Sequence, residues 1–276
     1  MTYFSPSTID EALEFLARDA ATVVAGGTDF YPSLPQGDMP DVVLDLTGVK
    51  EMRGISQSAA GWRIGGATTW ADIAHADLPP VFDTLKQAAC EVGSVQIQNV
   101  ATLAGNLCNA SPAADGVPPL LSLDASVELV SMSGARRVPL NEFITGPRQT
   151  ALATGELLAA VHIPCQPEGA TSAFVKLGSR KYLVISIAMV SVVLDVKAGR
   201  IQAARVAVGA CSPVAMRLNG LENSLIGCAI EDLAIDPIHL AGLAPIDDVR
   251  ADAGYRRDAV VTLCQRALAK AAGVEA

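Results

Sequence analysis

An α+β protein of two domains is what this sequence predicts, and three observations carry that expectation. Its 276 residues are half hydrophobic, enough to fill two cores of ordinary size. Short strand and helix patterns fill the chain as far as the segment from Pro164 to Gly169. Beyond it, two long β patterns meet across a glycine turn and a long amphipathic helix follows, as in a small antiparallel sheet covered by helices. The expected division is therefore 1–168 and 169–276.

In chain order, Thr8-x-x-Glu11 reads as a capping box, and Ile9, Leu13, Leu16 and Ala17 share one face of a short helix ending at Arg18. Residues 21–30 read as a buried strand that breaks at Gly26-Gly27 and continues into Thr28 and Asp29. Pro32, Pro35 and Pro40 interrupt the chain before a strand at 42–46, and 62–65 gives another. Helices are expected at 69–76 and 81–92, the second with Leu85, Ala88, Ala89 and Val92 along one stripe. Residues 95–124 then read as an irregular small-residue loop closing in a short apolar turn or helix at 118–124, before strands at 126–130 and 157–163. In the second domain, 187–196 and 201–209 flank Lys197-Ala198-Gly199-Arg200, a hairpin signal. Residues 215–226 read as a helix stopped by Gly227. Residues 255–272 place Val260, Leu263, Cys264, Ala267, Leu268 and Ala271 at helical spacing.

Two stretches carry the candidate chemistry. Residues 95–124 set Ala101, Ala104, Gly105, Ala110, Ser111, Ala113 and Ala114 among Asn99, Thr102, Asn106, Asn109 and Asp115. Small side chains let a ligand lie against backbone N–H groups, and the Asn, Thr and Ser groups add further donors. Two readings fit: a phosphate cradle without a lysine, or a tight buried loop whose polar side chains satisfy their own backbone. The turn at Gly26-Gly27 is open to the same two readings, as phosphate turn or as plain strand-to-helix connection. Neither G-x-G-x-x-G at this turn nor G-x-x-x-x-G-K-[ST] anywhere is present, so a nucleotide site would be of another type. Lys176, Arg180 and Lys181 are either simply solvated or supply one cation to the cleft between the domains.

Composition narrows the partners. A formal charge of −9 and 4% aromatic residues argue against nucleic acid, which needs a basic surface and rings for stacking. The six cysteines are dispersed, without the spacing of an iron–sulfur or zinc set, and are expected to be reduced thiols in the cytoplasm. No leader pattern opens the sequence, no apolar run reaches membrane-spanning length, and insertion into a membrane is not expected. His75, His162 and His239 stand beside no nucleophile motif, and no residue is expected to be catalytic.

With both stretches in view, the sequence resembles the FAD-binding medium subunit of the molybdenum hydroxylases, the family of xanthine dehydrogenases and carbon monoxide dehydrogenases. The likeness rests on an opening helix after a proline, A-G-G-T-D at 25–29 and N-x-A-T-L-x-G-N-L-C-x-A-S-P-x-A-D at 99–115. It continues through P-x-L-L-x-L-D-A at 118–125, V-H-I-P at 161–164 and K-L-G-S-R at 176–180. It implies a two-subdomain FAD-binding domain of the vanillyl-alcohol-oxidase-like (PCMH) type, parted near residue 57 into 1–57 and 58–168, followed by a smaller α/β domain. It further implies that Val24, Ala25, Gly26, Gly27, Thr28, Asp29 and Phe30 wrap the FAD pyrophosphate and that Ala101, Thr102, Gly105 and Asn106 form a second wall. Asp115 would meet ribityl or ribose hydroxyls, Leu158 would pack near the cofactor, and Lys176 would approach from the second domain.

What the resemblance implies for function is electron transfer. Electrons would come from the [2Fe–2S] clusters of a small subunit and leave as a pair for an external acceptor such as NAD+. The molybdenum cofactor would sit on a molybdopterin-binding large subunit. A stand-alone FAD oxidoreductase acting on NAD(P)H or a small substrate, and a cofactor-free assembly module, are the alternatives. Three departures from the family pattern stand out: Ala104 replaces a usual glycine, and Gln96 and Gln98 replace usual basic residues. An alanine at a left-handed position costs about 1 kcal/mol or more, so ordinary φ is expected at Ala104.

Overall fold

A computed structural model describes residues 2–35 and 38–274, whose strands form four sheets. The first is parallel and three-stranded, with Val42–Asp45 between Thr2–Phe4 and Thr22–Val24. The helix Ile9–Arg18 covers it, burying Ala12, Leu13 and Phe15 against Leu44, Leu46, Val49 and Met52. The Thr8 hydroxyl accepts the Glu11 N–H at 3.2 Å, as a capping box requires. The Glu11 carboxylate accepts instead from the N–H of Ser7, one residue earlier. The strand expected over 21–30 is only Thr22–Val24, because Gly27 turns left-handed (φ +67) and the chain leaves the sheet for a single helical turn, Phe30–Ser33.

The second sheet is antiparallel, in the order Ile55–Ser58, Gly61–Gly65, Leu157–Ile163, Ser126–Ser131, Gly134–Pro139. Since Ile55–Ser58 pairs into it, the change of sheet falls ahead of Ile55, and the division expected near residue 57 would cut a hairpin. Ile64, Val127, Leu129, Leu158, Val161 and Ile163 turn one face of this sheet to a core with Trp70, Phe82, Leu85, Leu103, Leu107 and Leu120.

Residues 95–124 are not a loop. They form three short helices, Val95–Gln98, Leu103–Asn109 and Val117–Ser122. Ser94 and Thr102 cap the first two through their hydroxyls, and burial of Leu103, Leu107, Leu120 and Leu121 holds the longer pair in place. The sequence reads as irregular there because each helix is too short to display a full period.

The C-terminal sheet runs Thr171–Leu177, Ala188–Lys197, Arg200–Gly209, Met216–Arg217 in chain order, all antiparallel. Ala198 and Gly199 both have positive φ, making the tight hairpin turn the sequence predicts. The helix expected over 215–226 is shorter, Asn219–Leu225, because Met216 and Arg217 extend along the free edge of the sheet beside Ala207 and Val208.

Side-chain alternation gives this sheet two different neighbours. Val190, Val192 and Leu194 pack on the helix Ala253–Ala272, and Ala204, Val206 and Val208 continue the same core beneath the helix Asn219–Leu225. The intervening residues meet the helices Asp83–Glu91 and Val117–Ser122 of the N-terminal part. That seam is polar at its centre: the Ser191 hydroxyl lies 2.6 Å from those of Thr84 and Ser122, and Ser172 accepts the Thr84 N–H at 2.9 Å. At one end Arg205 and Arg217 converge on Asp124, and at the other Lys176 meets Asp115.

Candidate cofactor site

Val24 ends its strand buried, and Ala25, Gly26, Gly27 and Thr28 emerge half-buried. Gly26 touches the second motif: a Cβ there would overlap the Val100 carbonyl oxygen and stand 2.7 Å from Ala101 Cα. Gly27 is required by its φ of +67, and a side chain on it would strike the Tyr31 ring at 2.5 Å. The two glycine-bearing stretches, far apart in sequence, are thus pressed backbone to backbone. Among the described residues, none accepts a hydrogen bond from the N–H of Gly26, Gly27, Thr28 or Asp29. An unpaired run of main-chain donors beside a glycine turn is a site for anionic oxygens. Phe30 opens the next turn, its ring edge-on to Tyr31.

The second wall is the helix Leu103–Asn109. Its first-turn N–H groups are already used: Leu103 donates to Thr68, Ala104 to Gly66, Gly105 to the Thr102 hydroxyl and Asn106 to the Thr102 carbonyl. The expectation that this stretch offers its backbone donors therefore fails for Leu103 through Asn106, whose amides are spent on the fold. Side chains and close approach remain. Gly105 is exposed, and Asn106 turns its amide oxygen into the interior, where it finds no partner. Gly116 leaves the room, since a Cβ there would sit 2.9 Å from that oxygen and overlap the Trp70 ring.

Ala104 is helical, with the ordinary φ expected of it. The close packing comes from the opposite side, where a Cβ on Gly66 would overlap the Leu158 carbonyl oxygen and lie 3.1 Å from Ala104 Cβ. Leu158 is buried, and the strand bulges between it and Ala160. Cys108 belongs to the same motif, and burial pushes its thiol up to about 12, so it stays protonated.

Asp115 and Lys176 meet at the seam. The Lys176 ammonium lies 2.6 Å from Asp115 Oδ2, the two side chains are only 6% and 9% exposed, and Lys176 also donates to the Glu91 carbonyl. The Ser186 hydroxyl donates to the other carboxylate oxygen. Burial pushes the Asp115 carboxyl above the usual carboxylate range, opposed by the Lys176 charge and by both hydrogen bonds. The cation that sequence reading leaves free for the cleft is thus spent on Asp115.

Two features escape sequence reading. Gly66 is one; the pair Gly65-Gly66 directly before the Thr69–Asp72 capping box is its only signal. Arg148 is the other, at the tip of the hairpin Ile144–Gly146 and Gln149–Thr150, where Gly146-Pro147-Arg148 reads as an ordinary turn. Its guanidinium donates to Asn109, whose amide donates to Asp29 of the first wall.

A bound dinucleotide suits this arrangement on three counts. Its diphosphate needs main-chain donors, the orphaned Asn106 oxygen needs a donor, and the exposed Gly105 leaves room for close approach. Among the described residues no three His, Cys, Asp or Glu side chains gather as a metal-ligand set, and no helix is long and apolar enough to cross a membrane.

Comparison with known proteins agrees with this geometry. Residues 1–166 match the model of the FAD binding domain in molybdopterin dehydrogenase, and residues 173–271 that of the CO dehydrogenase flavoprotein C-terminal domain. The chain is 31% identical to the xanthine dehydrogenase FAD-binding subunit of Escherichia coli, over 98% of this chain and 95% of that one. It superposes with a TM-score of 0.89 on a chain of the carbon monoxide dehydrogenase of Hydrogenophaga pseudoflava, at 26% identity and covering 98% of this chain and 96% of that one. With a chain of quinoline 2-oxidoreductase from Pseudomonas putida the TM-score is 0.86, at 28% identity and 99% and 97% coverage. An α+β fold of an FAD-binding domain followed by a C-terminal domain with an antiparallel sheet and helix is shared with these proteins, and the chain belongs to the FAD-binding medium subunits of the molybdopterin hydroxylases, the flavoprotein component of xanthine dehydrogenase-like and carbon monoxide dehydrogenase-like oxidoreductases.

Proposed function

We propose that this chain is the electron-transferring subunit of a three-component molybdenum hydroxylase in the cytoplasm. Electrons reach it from the [2Fe–2S] clusters of a small subunit, the molybdenum cofactor sits on a large subunit, and an external acceptor such as NAD+ takes the electrons in pairs. Bound FAD supplies the chemistry that joins one-electron donors to a two-electron acceptor. The chain's own residues bind and orient. The unpaired N–H groups of Gly26, Gly27, Thr28 and Asp29 would hold the diphosphate, with Val24, Ala25 and Phe30 shaping that wall. Ala101, Thr102 and Gly105 would line the second wall, and Asn106 would accept a cofactor hydrogen through its orphaned oxygen. Leu158 would pack the floor. Asp115, held by Lys176 and Ser186 across the seam between 1–168 and 169–276, would present its carboxylate to cofactor hydroxyls.

The observation that carries this reading is the unpaired amide run seated against the second motif at Gly26. Purification of the chain with its neighbours should yield a yellow complex that releases FAD and contains molybdenum and [2Fe–2S] partner chains. A colourless chain that FAD does not reconstitute would refute the cofactor assignment. A lone chain with full NAD(P)H turnover would refute the subunit assignment.

A further inference from the structure

Arg148 occupies a costly position. Its φ of +61 is left-handed, in a hairpin turn where position i+2 after Pro147 ordinarily selects glycine or asparagine. Its N–H donates at 2.8 Å to the carbonyl of Ala110, which is itself left-handed (φ +45) and ends the second-wall helix. The guanidinium donates to the Asn109 carbonyl at 3.2 Å and to the Asn109 side-chain oxygen. The same Asn109 amide donates to Asp29 Oδ2, which lies 3.9 Å from Arg148. Arg148 and Asp29 are both well exposed, 60% and 69%, so hydrophobic burial does not explain why they are held together.

Asp29 is the difficulty that this chain of contacts resolves. Its carboxylate follows directly on the amide run that would receive a diphosphate, and two like charges at such range repel. The geometry points to Arg148 as a positioning residue for the cofactor: it neutralises Asp29 and, through Asn109, ties the first wall to the second, so that a dianion can enter an otherwise acidic cradle. This inference rests on the cofactor reading above. An arginine that merely capped the second-wall helix would not need Asp29, and that difference makes the roles separable.

The test uses the full chain stripped of flavin and titrated with FAD, following the change in flavin fluorescence, for wild type, Arg148→Gln, Arg148→Lys, Asp29→Asn and the double variant Arg148→Gln/Asp29→Asn. Arg148→Gln is expected to bind FAD about tenfold more weakly at low salt, with the deficit shrinking as salt screens Asp29. Arg148→Lys should recover part of the affinity, and the double variant should return to within about threefold of Asp29→Asn alone. Wild-type affinity in Arg148→Gln, or a double variant as weak as Arg148→Gln, overturns the inference. Melting temperatures taken alongside identify a folding defect, and if Arg148→Gln does not fold, Arg148→Lys against Asp29→Asn decides by the same comparison. Failure of the wild type to bind FAD refutes the cofactor reading itself, a distinct result.

Discussion

Replacing Lys176 by methionine tests the seam between the sheet Thr171–Arg217 and the helices Asp83–Glu91 and Val117–Ser122. The substitution keeps the apolar stem and removes the ammonium, leaving Asp115 buried with only the Ser186 hydroxyl as partner. Breaking one side of a buried, hydrogen-bonded pair costs about 3–5 kcal/mol, because the remaining charge is uncompensated. That penalty depends on pH, and its sign follows from Asp115. Burial already raises its folded pKa above the unfolded value, so in that window the native state binds more protons and stability falls as pH rises. Without Lys176 the folded pKa rises further and the window extends upward. The deficit of Lys176→Met should therefore be largest near neutral pH and shrink on acidification, as Asp115 takes up a proton. Adding Asp115→Asn should recover much of the loss at neutral pH. Urea unfolding of the flavin-free chain at several pH values measures all of these. A deficit under about 1 kcal/mol, or one unchanged between neutral and acid pH, would refute the claim that this pair is buried and coupled.

Other substitutions probe the walls. Gly26→Val forces a side chain into the Val100 carbonyl, so it should cost about 1–3 kcal/mol and abolish FAD retention while the C-terminal sheet stays folded; stoichiometric flavin after desalting would contradict the cradle. Ala104→Gly should destabilise by about 1 kcal/mol, the cost of glycine in a helix, and leave FAD affinity within about twofold. Gly66→Ala, whose new methyl group meets the Leu158 carbonyl, should be the more damaging of the two in thermal unfolding. Wild-type FAD affinity should change less with ionic strength than that of Arg148→Gln, as titrations at low and high salt would reveal.

Legibility in the sequence followed the length of each element. The hairpin across Ala198-Gly199 and the helix Ala253–Ala272 are long enough to display their periods, and both lie where the pattern puts them. Residues 95–124 read as a loop because none of their three helices exceeds two turns, and capping and burial, not periodicity, hold them. At 215–226 the helix pattern lost its first turn to the open edge of the sheet, a tertiary effect that local propensity does not encode. The site divided in the same way. Both glycine motifs were legible as motifs, but their contact at Gly26 and Val100 required the fold. Gly66 and Arg148 sit in turns that look unremarkable, and only their neighbours make them part of the site.

Charge bookkeeping accounts for the absence of a dedicated phosphate lysine. A chain of net charge −9 repels a dianion at long range, so a site built on one free cation would be weakened by every carboxylate near it. Here two cations at the candidate site are each committed to a carboxylate, Lys176 to Asp115 in the interior and Arg148 to Asp29 at the rim. Pairing leaves both walls close to neutral, and the donors that remain, the amides of Gly26 through Asp29, carry no net charge to be screened. Neutral donors hold an anion by direction and proximity, and proximity is what the exposed Gly105 would provide, while glycine at position 26 lets the two stretches meet backbone to backbone. Glutamine at 96 and 98, in place of the basic residues that the family resemblance implies, would then be compatible with cofactor binding, because the proposed site would work through committed charges and free amides.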